Sequence, residues 1–569
     1  MTLVGHLMAA DLRRFRSTLA AWTGLILIMG VARALTPTVA HNDALWVWLG
    51  FASGLLELAY GLFFAGLVAV VVQAHSLVGT TAFWFARPIP PRTLMLAKSL
   101  VLLLVLVALP AIVDVALMTR YRLPAAVMLL VVSQAALAQG LAVAVLMGVA
   151  VLTPNLTRFA LVCIAVIVSA GLLTSIWFTV MITREGVMPR GFDIAQGGGP
   201  VPVAMRAVDW TPQVIAALLI ITACAALLRQ QYTTRSLQRS AMTGIAGLCL
   251  AGLLTSLLPW RVLVPRQIVP EWADSASAAV ITVDPTSARF NGSRRQPDSW
   301  VVADAEADLA GVPASWYATA RLHSATLAIP GTPPVVSPAY GYSAALTEPQ
   351  DPESPLTRVL RNALGVGEIT SPGTTSLSRV FLMASRHADL DALRGLTGSY
   401  TGDFIVDLTK LESAGTVSLN GGVFQDRDFR IAVDPLGAPG GDSGVALGAR
   451  VSRSRSMFDR RPPTEYLYFL RNRARDQAIS GFSNSAPEMN PLGNLPIAWL
   501  RSAFAVRAIT LRFDVPRDRA NPRAADQAWV ADAELVIVRA TAVGSVPRQV
   551  RFDGLIVDPD KTPKSTRFQ

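Results

Sequence analysis

The feature that most constrains this chain is a change of character near residue 262. Before it lie apolar stretches about as long as a bilayer crossing, and after it lie some three hundred residues with ordinary soluble patterning. About twenty apolar residues span the hydrocarbon core as a helix. The expected fold is therefore an α-helical membrane bundle of about seven transmembrane helices over 1–261, followed by an all-β, sandwich-like region over 262–569. That region has room for two β-sandwich subdomains, at about 270–345 and 396–560.

Charge follows the same division. Of 50 basic and 39 acidic residues, 1–264 hold 17 and 7, while the remainder is nearly balanced at 33 and 32. The basic excess belongs to the membrane half. Without a basic stripe interleaved with aromatics in the soluble half, nucleic acid is not an expected partner. Cys163, Cys224 and Cys249 all lie in apolar runs, so the soluble half carries no disulfide.

The candidate spans are roughly 17–36, 45–73, 97–118, 124–152, 159–181, 211–228 and 241–259. For the first, a cleaved signal peptide is the rival reading, because Arg13, Arg14 and Arg16 precede the apolar run and Ala32-Arg33-Ala34 follows it. With the N-terminus inside, ten basic residues fall on inner segments and seven on outer ones, the bias the positive-inside rule requires. Trp46, Trp48, Trp210 and Trp260 then mark outer helix ends. Seven crossings would put the β region outside the cytoplasm. An error of one span would reverse that.

Within the spans, Glu57 is the most costly residue, since a carboxylate at mid-membrane costs about 2.5–3.5 kcal/mol on insertion scales. Asp114, Gln134 and Gln139 are further intramembrane polar candidates. Each can line a substrate or ion path or satisfy a neighbouring helix. Gly50 and Gly54, and the Gly140, Ala144, Gly148 repeat, are candidate close-packing faces.

Residues 74–99 lie between the second and third spans. They carry Phe83-Trp84, Arg87-Pro88-Ile89 and Leu96-Ala97-Lys98, with Pro88, Pro90 and Pro91 ending any short helix begun at Leu77. At the N-terminus Val4, Met8, Leu12 and Phe15 recur at helical spacing among arginines, as in an interfacial helix. This combination resembles the permease subunits of ABC-type exporters, in the broad type-2 permease group. The resemblance covers about 1–260 and departs from it in a seventh span and a large C-terminal region. It implies that Leu77, Thr80, Thr81, Phe83, Trp84, Arg87 and Arg92 form an ATPase-coupling segment docking on a separate cytoplasmic ABC ATPase. It also implies a second permease copy or related subunit, and the inner membrane of a bacterium. ATP and Mg would then sit on the partner. The chain has no G-x-x-x-x-G-K-[ST], since none of Lys98, Lys410, Lys561 and Lys564 follows a glycine. The plain reading of 74–99 is a basic loop anchoring two helices.

In the soluble half the period becomes two. Ile509, Leu511, Phe513 and Val515 alternate with polar residues, as do Phe404, Val406 and Leu408, Phe429, Ile431 and Val433, and Trp316, Ala318, Ala320 and Leu322. Further strands are expected near 278–284, 299–308, 416–420, 444–451, 466–470, 531–540 and 549–557, with short helices at 354–364 and 386–395. Gly441-Asp442-Ser443-Gly444 resembles a serine-protease nucleophile loop but reads as a turn, and His323 and His387 have no family setting. The scattered histidines give no zinc spacing. The expectation is a non-enzymatic subunit without metal or cofactor of its own, functioning as an exporter permease. The alternatives are a non-transporting anchor presenting a β-sandwich binding domain, and a membrane-bound hydrolase.

Overall fold

The computed structural model describes residues 3–39, 43–74, 90–166, 168–169, 172, 211–234, 236–257, 278–292, 300–337, 343–345, 355–370, 379–436, 444–454, 461–462, 464–484 and 504–558. In the N-terminal half these form α1 (Leu3–Arg14), α2 (Arg16–Val39), α3 (Asp43–Gln73), α4 (Pro91–Leu103), a π-helical turn (Leu104–Ala108) and α5 (Leu109–Arg120). There follow α6 (Ala125–Leu152), a short apolar helix α7 (Leu156–Val166), α8 (Thr211–Thr234) and α9 (Leu237–Leu257). Six stretches among the described residues are long and apolar enough to cross a membrane: Arg16–Leu35, Gly54–Gln73, Pro91–Arg120, Ala125–Leu152, Val214–Thr234 and Leu237–Leu254. The expected span at 159–181 falls on α7 and on residues outside the described ones. Large apolar side chains point away from the bundle, with Leu27, Ile28, Leu62, Leu129 and Ile245 all more than half exposed. That surface suits lipid rather than water. The layout is that of a multi-pass membrane protein.

The bundle core gathers Trp22 and Ile26 of α2, Phe64 and Val68 of α3, Leu102 of α4, Met147 and Val151 of α6, and Leu228 and Tyr232 of α8. Phe15, closing α1, joins the same core, with Met8 and Leu12 packed against it. At Gly148 an added Cβ would lie 4.0 Å from both Cys224 and Leu227, so α6 meets α8 there. Gly54 and Gly140 meet nothing within that range among the described residues. Helices α8 and α9 approach closely, since a Cβ on Gly247 would collide with that of Ala223.

The C-terminal half is rich in strands. In chain order these are β1 (Val280–Val283), β2 (Arg289–Gly292), β3 (Trp300–Ala310), β4 (Trp316–Ala328), β5 (Val335–Ser337), β6 (Ser343–Ala345), β7 (Glu368–Thr370), β8 (Arg379–Arg386) and β9 (Thr397–Val417). The rest are β10 (Gly422–Asp426), β11 (Phe429–Val433), β12 (Val445–Ser454), β13 (Thr464–Asn472), β14 (Gln477–Ser480), β15 (Phe482–Asn484), β16 (Phe504–Phe513) and β17 (Ala533–Ile556). Short helices α10 (Pro355–Leu364), α11 (His387–Asp391) and α12 (Gln527–Ala531) interrupt them. An eight-stranded sheet runs β5-β4-β9-β17-β13-β14-β7, with β6 also on β4. β9 and β17 are long enough to serve two cores. Tyr400, Phe404 and Val406 of β9 and Val546 and Val550 of β17 pack on the small sheet of β1, β3, β2 and β8. Val417, Leu535 and Ile537, further along the same two strands, pack on the five-stranded sheet β10-β11-β12-β16-β15. Alternation explains the opposite face, where Val536, Val538 and Ala540 meet Leu360 and Leu364 of α10.

The helical and β halves touch. Phe504 of β16 is buried among Leu117 and Met118 of α5, Leu123, and Val127 and Val131 of α6, with Val506 packed alongside. The Tyr121 and Phe504 rings lie 5.8 Å apart. The bundle therefore has a β end, at the α5–α6 turn, and a loop end, where α3 finishes and α4 begins.

Candidate functional site

The loop end is built from polar side chains that the apolar pattern would not place in a core. Lys98, two turns into α4, is fully buried, and its Nζ donates to the Val71 carbonyl in the last turn of α3. The last carbonyls of a helix have no partner within it and carry the negative end of its dipole, so an ammonium is the natural occupant. Asp11 of α1 is also buried. Burial raises its pKa, and the charges of Lys98 and Arg14 oppose that rise. At the other side of α3, Gln73 Nε2 donates to Thr153 Oγ1 at 3.1 Å and to the Thr153 carbonyl at 3.3 Å, closing the end of α6. Four helices, α1, α3, α4 and α6, are thus tied together where α3 ends and α4 begins, on either side of residues 75–89. Gln231 and Tyr232 of α8 and Ser240 of α9 are buried, with side-chain polar atoms that find no hydrogen-bond partner among the described residues.

A second knot lies in the middle of the bundle. Pro110 has no N–H, so in the five-residue register of the π turn the Val105 carbonyl lacks its helical donor. The Trp22 indole supplies one, at 3.0 Å. The Trp22 ring lies 4.9 Å from Tyr60, and the Tyr60 hydroxyl receives a 3.4 Å hydrogen bond from Gln139 Nε2. Helices α2, α3 and α6 and the π turn between α4 and α5 are therefore joined through one fully buried tryptophan. Neither Trp22 nor Tyr60 stands out from hydropathy; the signal available was Pro110 inside a span.

Of the intramembrane polar residues expected from sequence, Gln139 is buried in this knot, and Glu57 is half-buried one turn before Tyr60 on α3. Gln134 is half-buried on α6. Asp114 is buried and pairs with Arg33 of α2 at 3.1 Å, nearer the β end. Arg33 is therefore not simply a flanking charge. In the coupling segment, Leu77, Thr80, Thr81, Phe83, Trp84 and Arg87 lie outside the described residues, while Arg92 is exposed in the first turn of α4. Lys98, which the sequence presents as a flanking basic residue, is instead enclosed, because its stem is long enough to bring the ammonium to α3.

In the β region, Gly441-Asp442-Ser443 lie outside the described residues. Ser324 donates to Asp403 at 2.8 Å, with His323 near the carboxylate. The serine proton is thus held by an acid and not by an imidazole, which is not the order a nucleophilic triad requires. No group of three or more metal-ligating side chains occurs among the described residues. No family model, curated protein or solved structure matches the chain.

Proposed function

We propose that this chain is the membrane-spanning, permease-like subunit of an ABC exporter, driven by a separate cytoplasmic ATPase that engages loop 75–89. The observation that carries the reading is the polar frame at the loop end. Lys98 on Val71, Gln73 on Thr153 and Asp11 beside Lys98 fasten both flanks of that loop to α1 and α6. A push on the loop would reach four helices together, as a power stroke from a docked motor requires. In this reading ATP and Mg sit on the partner, consistent with a sequence that carries no G-x-x-x-x-G-K-[ST]. A second copy or a related subunit completes the translocation path.

Seven crossings, in a bacterial inner membrane with the N-terminus cytoplasmic, belong to the same reading. The end of α8, at Leu228 and Tyr232, shares a core with the end of α6, at Met147 and Val151. That shared core supports a reading in which α6 and α8 run in the same direction and a seventh crossing lies between them. The sandwich-like β region would then be extracytoplasmic and cap the path. The packed junction at Phe504 favours one rival, an anchor that simply presents the β region.

Purification of the tagged protein from its native membranes tests the two. Recovery of a stoichiometric P-loop ATPase, whose activity falls when Phe83, Trp84 and Arg87 become alanine in a folded protein, is the expected result. Reproducible recovery of envelope proteins with no ATPase would replace the exporter by the anchor.

A further inference from the structure

The bundle-facing side of the five-stranded sheet carries more positive charge than the described residues around it neutralise. Arg430 of β11 and Arg450 of β12 lie diagonally across neighbouring strands, since Arg430 stands opposite Ser452 and Arg450 opposite Ala432. Such diagonal neighbours are about 7–8 Å apart, within reach of long side chains. Gln425 of β10, opposite Arg430, donates to the Arg122 carbonyl at 2.8 Å and so brings the α5–α6 turn to the same place. Arg122 sits at φ +55°, in the left-handed position that closes α5, where glycine is usual and an L-residue costs about 1–2 kcal/mol. Arg450 has an acid, Asp434, at 2.7 Å. No ion pair reaches Arg122 or Arg430 among the described residues. Burial lowers the pKa of Arg430, and the charges of Arg122 and Arg450 lower it further. Ser452, 1% exposed and directly opposite Arg430, has a hydroxyl with no hydrogen-bond partner among the described residues. Tyr121, Phe504 and Val506 form an apolar wall beside these groups, and Val423, 55% exposed, lies on the same sheet face.

We propose that Arg122, Arg430, Arg450 and Ser452 form a binding site for a phosphoryl group at the β end of the bundle. Forked guanidinium donors suit a tetrahedral oxyanion, and a phosphate relieves like-charge crowding that, among the described residues, only Asp434 offsets. The position, at the helix ends beneath the sheet, is that of lipid headgroups, and the apolar wall is suited to the adjoining acyl chains. A lipid phosphate is therefore the favoured source over free phosphate.

Thermal unfolding of the full chain in neutral detergent tests this, with phosphatidylglycerol, phosphatidylcholine or inorganic phosphate added as separate probes. Phosphatidylglycerol should raise the unfolding midpoint of the wild type, and the R122Q/R430Q variant should bind it about tenfold more weakly. Without an added anion that variant should unfold no earlier than the wild type, because it loses only repulsion. The R122K/R430K variant should keep part of the shift. A shift with phosphatidylglycerol but not with inorganic phosphate assigns the lipid headgroup; equal shifts with both assign a soluble phosphoryl ligand. Equal shifts in the wild type and R122Q/R430Q overturn the site. If the double variant does not fold, R430Q alone is read by native mass spectrometry of retained lipid, and undiminished retention overturns the site equally. No ATPase enters the test, so its outcome is independent of the exporter reading.

Discussion

The sharpest prediction concerns Trp22 and Pro110. Trp22→Phe keeps an aromatic ring but removes the N–H that answers the Val105 carbonyl, in a site with no access to water. Leaving such a group unpaired costs about 1–3 kcal/mol in soluble proteins, but hydrogen bonds within membranes average only ~0.6 with a ceiling of ~1.7, so ~1 kcal/mol is the reasonable figure. The smaller ring also leaves a void of roughly 40 Å³, worth another ~1 kcal/mol at about 24 cal/mol per Å³. The total is about 2 kcal/mol. Pro110→Ala separates the two parts. It restores a backbone N–H, lets the π turn relax to α, and gives Val105 the Leu109 amide as a donor. In that background Trp22→Phe should cost only the void. A double-mutant cycle in mixed-micelle unfolding, followed by far-UV circular dichroism, should therefore give a coupling of ~1 kcal/mol. A coupling indistinguishable from zero would show that Pro110 is not the reason Trp22 faces Val105.

Three further outcomes follow from other parts of the molecule. Lys98→Met leaves Asp11 buried without its cation and Val71 without its donor, so it should destabilise the bundle by about 3–5 kcal/mol, while D11N/K98M should recover part of that loss in the same unfolding assay. Glu412 has its pKa lowered by the hydrogen bond from Lys410, with Arg539 adding to it. Its stabilising contribution is present above the unfolded-state value near 4.3 and is lost as pH falls through the lower folded value, so E412Q should flatten the acid limb of a melting-temperature profile below about pH 5. Gly311 holds φ +78° with Ala278's carbonyl against its missing side chain, so Gly311→Ala should lower the melting temperature of the β region, with a loss of about 1–3 kcal/mol or more.

How much of this is legible in the sequence depends on the range of the forces involved. Strands announce themselves by local alternation: Phe404, Val406 and Leu408 all fall inside β9 and are buried, and the helix expected at 354–364 is α10. The two strands expected at 531–540 and 549–557 are one, β17, because the small residues Thr541 to Ser545 interrupt the alternation without interrupting the pairing with β9; a bulge at Ala542/Gly544 absorbs the irregularity. Partnerships across the fold are not local. Asp114 and Arg33 are 81 positions apart, and Lys98 and Val71 are 27 positions apart. Hydropathy weighs a lysine as a cost at a span's edge and cannot see the helix end that receives it.

Helix direction supplies the last prediction, and it bears on every functional reading. Gly148 of α6 faces Cys224 and Leu227 of α8, and α9 returns along α8 with Gly247 against Ala223. The α8–α9 turn, with exposed Arg239 just beyond it, therefore belongs to the loop end, and α9 runs toward the β end. The β region packs on the α5–α6 turn at that same end, so α9 finishes toward the end where the β region sits. The seven crossings proposed above agree with this direction of α8, which shares its core with α6. In a variant lacking Cys163, Cys224 and Cys249, a cysteine at exposed Ser418 should react with a membrane-impermeant maleimide in intact spheroplasts, and one at Arg239 should react only after the membrane is opened. The reverse pattern would place the β region in the cytoplasm, and labelling of both sites from one side would refute the helix directions themselves.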